Sequence, residues 1–123
     1  MTAKDFMLGN FVYNRDGEAL KITELRKNQV MLSDDILYRY GDIEPIPLSP
    51  EILEKNGFFL IDKEDKSYRW EYIDGVFINA DFNANEPFVA IHNRSYRVVP
   101  VCEYVHQLQN ALRMVSIYLD VVV

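Results

Sequence analysis

The segment Ile43-Glu44-Pro45-Ile46-Pro47-Leu48-Ser49-Pro50 constrains the fold more than any other stretch of this chain. Pro45 and Pro47 lack an amide donor and push their neighbours toward extended backbone, so neither a helix nor a central strand can run through them. The chain divides there into residues 1–48 and residues 49–123. Ile43, Ile46 and Leu48 give the connector apolar side chains to bury, so it should lie packed on the body and the two parts should form one compact unit. A helix follows at once. Ser49 is suited to the N-cap, Pro50 to the first helical position, and Glu51 to the electropositive first turn. Leu48 and Leu53 can close a hydrophobic staple, and Gly57 supplies a left-handed exit. Such a helix has about two turns and depends on tertiary packing.

Both flanks of this helix read as β structure. In residues 1–48, Phe11-Val12-Tyr13 ends at Asn14-Arg15-Asp16-Gly17, a turn signal. Ala19–Leu25, Gln29–Leu32 and Ile36–Tyr40 follow, separated by Lys27-Asn28 and Asp34-Asp35. Short strands at this spacing predict a small curled antiparallel sheet or SH3-like barrel. Between Phe58 and Val99 the runs predict an antiparallel meander of about four strands, with Asp74-Gly75 as one hairpin turn. Tyr68, Trp70 and Tyr72 share one face of its second run, opposite Arg69, Glu71 and Ile73. A second helix spans roughly Glu103 to Met114. Val105, Leu108 and Leu112 form its apolar stripe, and His106, Gln107, Asn110 and Arg113 fall on the side expected to face water. Ile117–Val123 is strand-like. The expected class is α+β.

At 123 residues and 49% hydrophobic content the chain can build one core without staples. Its single cysteine, Cys102, permits no internal disulfide and suits a reducing compartment. Met1–Asp5 shows no signal-like apolar run, and no window has the length a membrane helix needs, so a cytoplasmic location without membrane contact is expected. The net charge is −6, with six basic and eight acidic groups in residues 1–48 and seven and eleven in residues 49–123. Neither part carries the basic footprint on which phosphate binding relies.

Three stretches carry a resemblance: Gly9–Tyr13, Ile43–Phe58 and Tyr104–Asn110. In that order and spacing the chain resembles a family of small uncharacterised proteins of Bacteroides-type gut bacteria and their phages and mobile elements. The resemblance spans nearly the whole chain and implies a complete protein, with no activity or catalytic residue to carry over. It also implies a glycine in the turn after the last helix, where this chain has Arg113-Met114-Val115-Ser116.

Few groups suggest chemistry. His106 and Asn110 stand four apart on a helix, and with Gln107, Gln109 and Arg113 they make a polar ridge suited to an interaction surface. A solvated helix face explains the same pattern. Asp81-Phe82-Asn83-Ala84-Asn85-Glu86 resembles the opening of a calcium loop, but Glu86 stands where glycine is required and His92 where a glutamate is. No metal and no cofactor is expected. Cys102 and His92 could be paired as nucleophile and base, yet a cysteine among Val99, Val101 and Val105 is more often buried and inert. Tyr68, Trp70 and Tyr72 with Arg69, Arg94 and Arg97 could stack unpaired bases; Glu64, Asp65, Glu71 and Asp74 oppose that reading. Val121-Val122-Val123 needs cover, either within the monomer or at a second chain.

The residues favour a non-enzymatic protein-interaction module that binds a protein partner or self-associates as a homodimer. The rival is a nucleic-acid-binding accessory protein using the aromatic and arginine face, and an enzyme built on His106 ranks third.

Overall fold

A computed structural model describes residues 6–84 and 86–123. The Met1–Asp5 segment read above as lacking a signal therefore lies outside the described residues, as does Asn85. The protein is α+β, with two antiparallel five-stranded sheets and two α-helices among the described residues.

The first sheet contains β1 (Phe11–Tyr13), β2 (Ala19–Leu25), β3 (Gln29–Leu32), β4 (Leu37–Arg39) and β5 (Glu44–Pro45), in the order β4-β3-β2-β1-β5. A single 3-10 turn, Tyr40–Asp42, precedes β5. β4 and β5 are the two ends of the sheet and do not pair with each other, so the sheet is open and the expected barrel is not closed. Asn14 organises the first hairpin. Its Oδ1 accepts from the amides of Asp16 and Glu18, at 3.0 and 2.9 Å, which is why a buried asparagine sits in a turn. Phe6, Val12, Ile22, Val30, Leu32, Tyr38 and Ile43 form this sheet's own core.

The connector behaves as its apolar residues require. Ile43 enters the first core, whereas Ile46 and Leu48 enter the second. Its backbone is paired too: Leu48 N–H donates to Glu103 O at 2.9 Å, and Val105 N–H to Ile46 O at 2.8 Å. α1 (Pro50–Lys55) begins as read, with Ser49 Oγ accepting from Ile52 N–H.

The second sheet contains β6 (Phe59–Asp62), β7 (Ser67–Ile73), β8 (Val76–Asp81), β9 (Phe88–Asn93) and β10 (Tyr96–Val98), in meander order. It has five strands rather than about four, because the short runs at both ends of the segment pair. On its core face Val76, Ile78 and Ala80 of β8 pack with Val89 and Ile91 of β9 beneath α2 (Val105–Met114).

Both helices end in the same motif. In α1, Phe58 N–H reaches back to Leu53 O and Gly57 N–H to Glu54 O, with Gly57 at φ +88°. In α2, Ile117 N–H reaches Leu112 O and Ser116 N–H reaches Arg113 O, with Ser116 at φ +58°. These are Schellman closures, each with its apolar contact, Leu53 to Phe58 and Leu112 to Ile117, inside the second core. The second closure uses serine where glycine is the unstrained residue. Ser116→Gly should therefore raise stability by about 0.5–1 kcal/mol, the strain of a left-handed non-glycine residue exceeding the entropy glycine adds to the unfolded chain. Urea unfolding would show it as a higher midpoint at unchanged slope.

Residues 117–123 are not a strand, which corrects the sequence reading. The segment is extended and alternates in burial, with Ile117 and Val121 buried and Tyr118, Asp120 and Val122 exposed. Its partner is a side chain. Asn56 Oδ1 accepts from Val122 N–H and Asn56 Nδ2 donates to Val122 O, both at 2.8 Å. One amide thus satisfies both backbone groups of a residue, as a neighbouring strand would.

Candidate functional site

The polar ridge of α2 is occupied by the protein itself. His106 is fully buried, its ring 4.9 Å from that of Phe6 and 6.0 Å from that of Tyr104. Gln109 is 8% exposed; its Oε1 accepts from Phe11 N–H at 3.0 Å and its Nε2 donates to Gly9 O at 3.1 Å. Asn110 Oδ1 accepts from Asn10 Nδ2 at 2.8 Å, and Arg113 donates to Leu8 O at 2.6 Å. Gln107 closes the start of the helix, accepting from the amides of Glu103 and Tyr104. The expectation that His106, Gln107, Asn110 and Arg113 face water is corrected for His106, which has no solvent contact. The reason is geometric. α2 has two buried flanks, an apolar one against the second sheet and a polar one against the β1 end of the first sheet, and only the apolar flank leaves a hydropathy signature.

The aromatic and arginine residues of the rival reading are split between two faces. Cross-strand pairing runs Trp70–Ile78–Ile91–Val98 along one row and Glu71–Phe77–His92–Arg97 along the next. Adjacent rows point to opposite faces. Tyr68 is buried at 8% exposure on the core face; Trp70 stacks on Tyr72 there, with ring centroids 5.5 Å apart. Arg97 lies on the outer face, and Arg94 occupies the β9–β10 turn at φ +56°. The structure does not bring Arg97 together with Tyr68, Trp70 and Tyr72.

The outer face has an assembly of its own, which residue-by-residue reading missed. The Arg69 guanidinium lies 4.5 Å from the Phe77 ring centroid, and Phe77 stacks on His92 at 4.4 Å. Arg69 Nε also donates to Asn79 Oδ1 at 2.8 Å. Both faces of Phe77 are therefore covered, by Arg69 and by His92. Burial, reinforced by Arg97 and Arg69, holds the His92 imidazole below its ordinary pKa and favours the neutral ring that stacks well. Cross-strand pairing could have flagged this group, but only once the register was known.

Cys102 is buried, and burial pushes its thiol up to about 12. At neutral pH it stays protonated and cannot serve as the thiolate nucleophile of a Cys102–His92 pair. In the calcium-like loop, Asp81 is held above its usual carboxyl range by burial and by Asp65, and Asn83 donates to Asp65 Oδ1 at 3.4 Å. These groups serve the loop. Among the described residues no helix is long and apolar enough to cross a membrane.

Two surface features remain uncommitted. One is the free edge of the second sheet. β6 pairs on one side only, with β7, and all four of its residues are exposed. Phe59, Leu60 and Ile61 are 47%, 48% and 46% exposed. The sequence signal was the consecutive apolar run Phe58–Ile61, but its place at a sheet edge was hidden in the strand order. The other is a cleft of about 390 Å³ where Lys21 of β2 and Gly9 meet the end of α2 and residues 117–121. No family model, curated protein or solved structure matches the chain.

Proposed function

We propose that this chain is a non-enzymatic protein-interaction module, that its docking surface is the β6 edge, and that the occupant is a second copy of the chain. The observation that carries the reading is the exposure of Phe59, Leu60 and Ile61 on a strand with an unpaired side. An edge strand presents a row of open amide and carbonyl groups, and natural proteins usually guard such edges with charge or proline. β6 has neither among its first three residues; the charge of Asp62 and the irregular register at Leu60–Asp62 guard only its end. Set antiparallel to itself across a two-fold axis, a strand offers each donor to an acceptor of its copy. An isologous dimer therefore needs no second kind of surface. The first sheet, with its strand order and 3-10 turn, is read as an open SH3-like unit that supports α2 from behind. The free buried thiol of Cys102 supports a reducing, cytoplasmic setting.

Light scattering at several protein concentrations tests this. The wild-type chain should move from monomer to dimer mass with concentration, and Ile61→Lys should stay monomeric with an unchanged melting temperature. A wild-type chain that remains monomeric at every concentration, or a dimer that survives Ile61→Lys, refutes the β6 assignment.

A further inference from the structure

The cleft beside α2 has the composition of a binding site. Its floor is formed by Leu112, Ile117 and Val121, each at most 4% exposed, so the apolar base is continuous with the second core. Lys21 and Arg113 line the same cleft. Neither has a carboxylate within ion-pair distance among the described residues. Lys21 Nζ lies 5.2 Å from the Phe11 ring centroid, and one Arg113 nitrogen donates to Leu8 O, which leaves the remaining donors of both cations open.

A side chain at Gly9 would bring its Cβ to 2.8 Å from an Arg113 nitrogen, so the guanidinium tip packs directly against this turn, where Gly9 has φ +84°. The cleft's volume falls within the range of small-molecule sites, about 300–1,000 Å³. Asp120 also lines it and opposes an anion.

We propose that this cleft binds a small amphipathic carboxylate, its apolar body against Tyr118 and Leu119 over the Leu112, Ile117 and Val121 floor and its carboxylate at Lys21 and Arg113. A cationic rim beside apolar lining discriminates this class from both simple anions and neutral apolar molecules, since each of those satisfies only half of the site. The inference is independent of the β6 edge, which lies on the other sheet.

Amide chemical shifts of the full chain, titrated with hexanoate to about 20 mM so that millimolar binding is reached, give the test. Hexanoate should shift Gly9, Lys21, Leu119 and Asp120, with 1-hexanol and acetate each about tenfold weaker or silent. Lys21→Gln should weaken hexanoate about tenfold, whereas Asp120→Asn should tighten it by removing the opposing charge. Both positions lie at the cleft rim, and a merely structural role would not move them in opposite directions. Absence of shifts with wild type, equal binding of 1-hexanol, or indifference to Lys21→Gln overturns the proposal.

Discussion

A chain ending at Ser116 should fail to fold cooperatively. Ile117 and Val121 are 4% and 2% exposed in the second core, and burying an aliphatic side chain of this size stabilises by about 1.5–3 kcal/mol. Their loss alone removes about 3–6 kcal/mol, against a total stability of about 5–15 kcal/mol for a domain. The deletion also removes two of the three floor residues of the cleft, the closing bond from Ile117 N–H to Leu112 O, and both bonds between the Asn56 amide and Val122. Thermal unfolding followed by circular dichroism should lose its sigmoidal transition, with dye binding to exposed apolar surface. Tyr118→Ala serves as the control: Tyr118 is 83% exposed and its truncation should cost no more than about 0.5 kcal/mol. A truncated chain that melts sharply within a few degrees of the intact one would show that the second core is complete without these residues.

Gln109→Leu should be the most damaging conservative-volume change in α2. It removes the acceptor of Phe11 N–H and the donor to Gly9 O at the seam between helix and first sheet. Stranding a buried backbone group costs about 1–3 kcal/mol, so the pair amounts to about 2–6 kcal/mol. Gln109→Glu keeps the acceptor for Phe11 but cannot donate to Gly9 as a carboxylate, and should fall between wild type and Gln109→Leu. Chemical denaturation orders the three. Equal midpoints for Gln109→Leu and wild type would mean that water replaces the amide, so that the seam contributes position rather than stability. Gln107→Leu offers a comparison within the same helix, since it loses only bonds to the Glu103 and Tyr104 amides at the N-terminal cap.

The local elements were legible wherever one residue's conformation decides the outcome. Ser49, Pro50 and Gly57 delimit α1 through hydrogen bonding and backbone freedom that act within a few residues, and the structure has each in its expected role. The alternation Val76, Ile78, Ala80 identifies a core-facing strand for the same reason. The barrel expectation went too far because closure depends on whether β4 meets β5, a contact with no local signature. The last segment misled in another way. Its alternation is real, but Asn56, 66 residues away, with Lys55 donating to Val123 O, replaces a whole strand as its hydrogen-bonding partner.

Sequence alone determined the α+β class, both helices and most of the turn-bounded strands of the two sheets. These follow from steric limits on proline and glycine and from the periods of helix and strand, which are properties of neighbouring residues. Tertiary structure decided what each surface faces. His106 lies in a sealed seam because the first sheet docks on the polar flank of α2, while Phe59, Leu60 and Ile61 stay open because β6 is last in its sheet. Hydrophobicity records how much a residue gains from burial, not which element arrives to bury it. A glutamine that bonds two backbone groups and one that bonds water are the same letter.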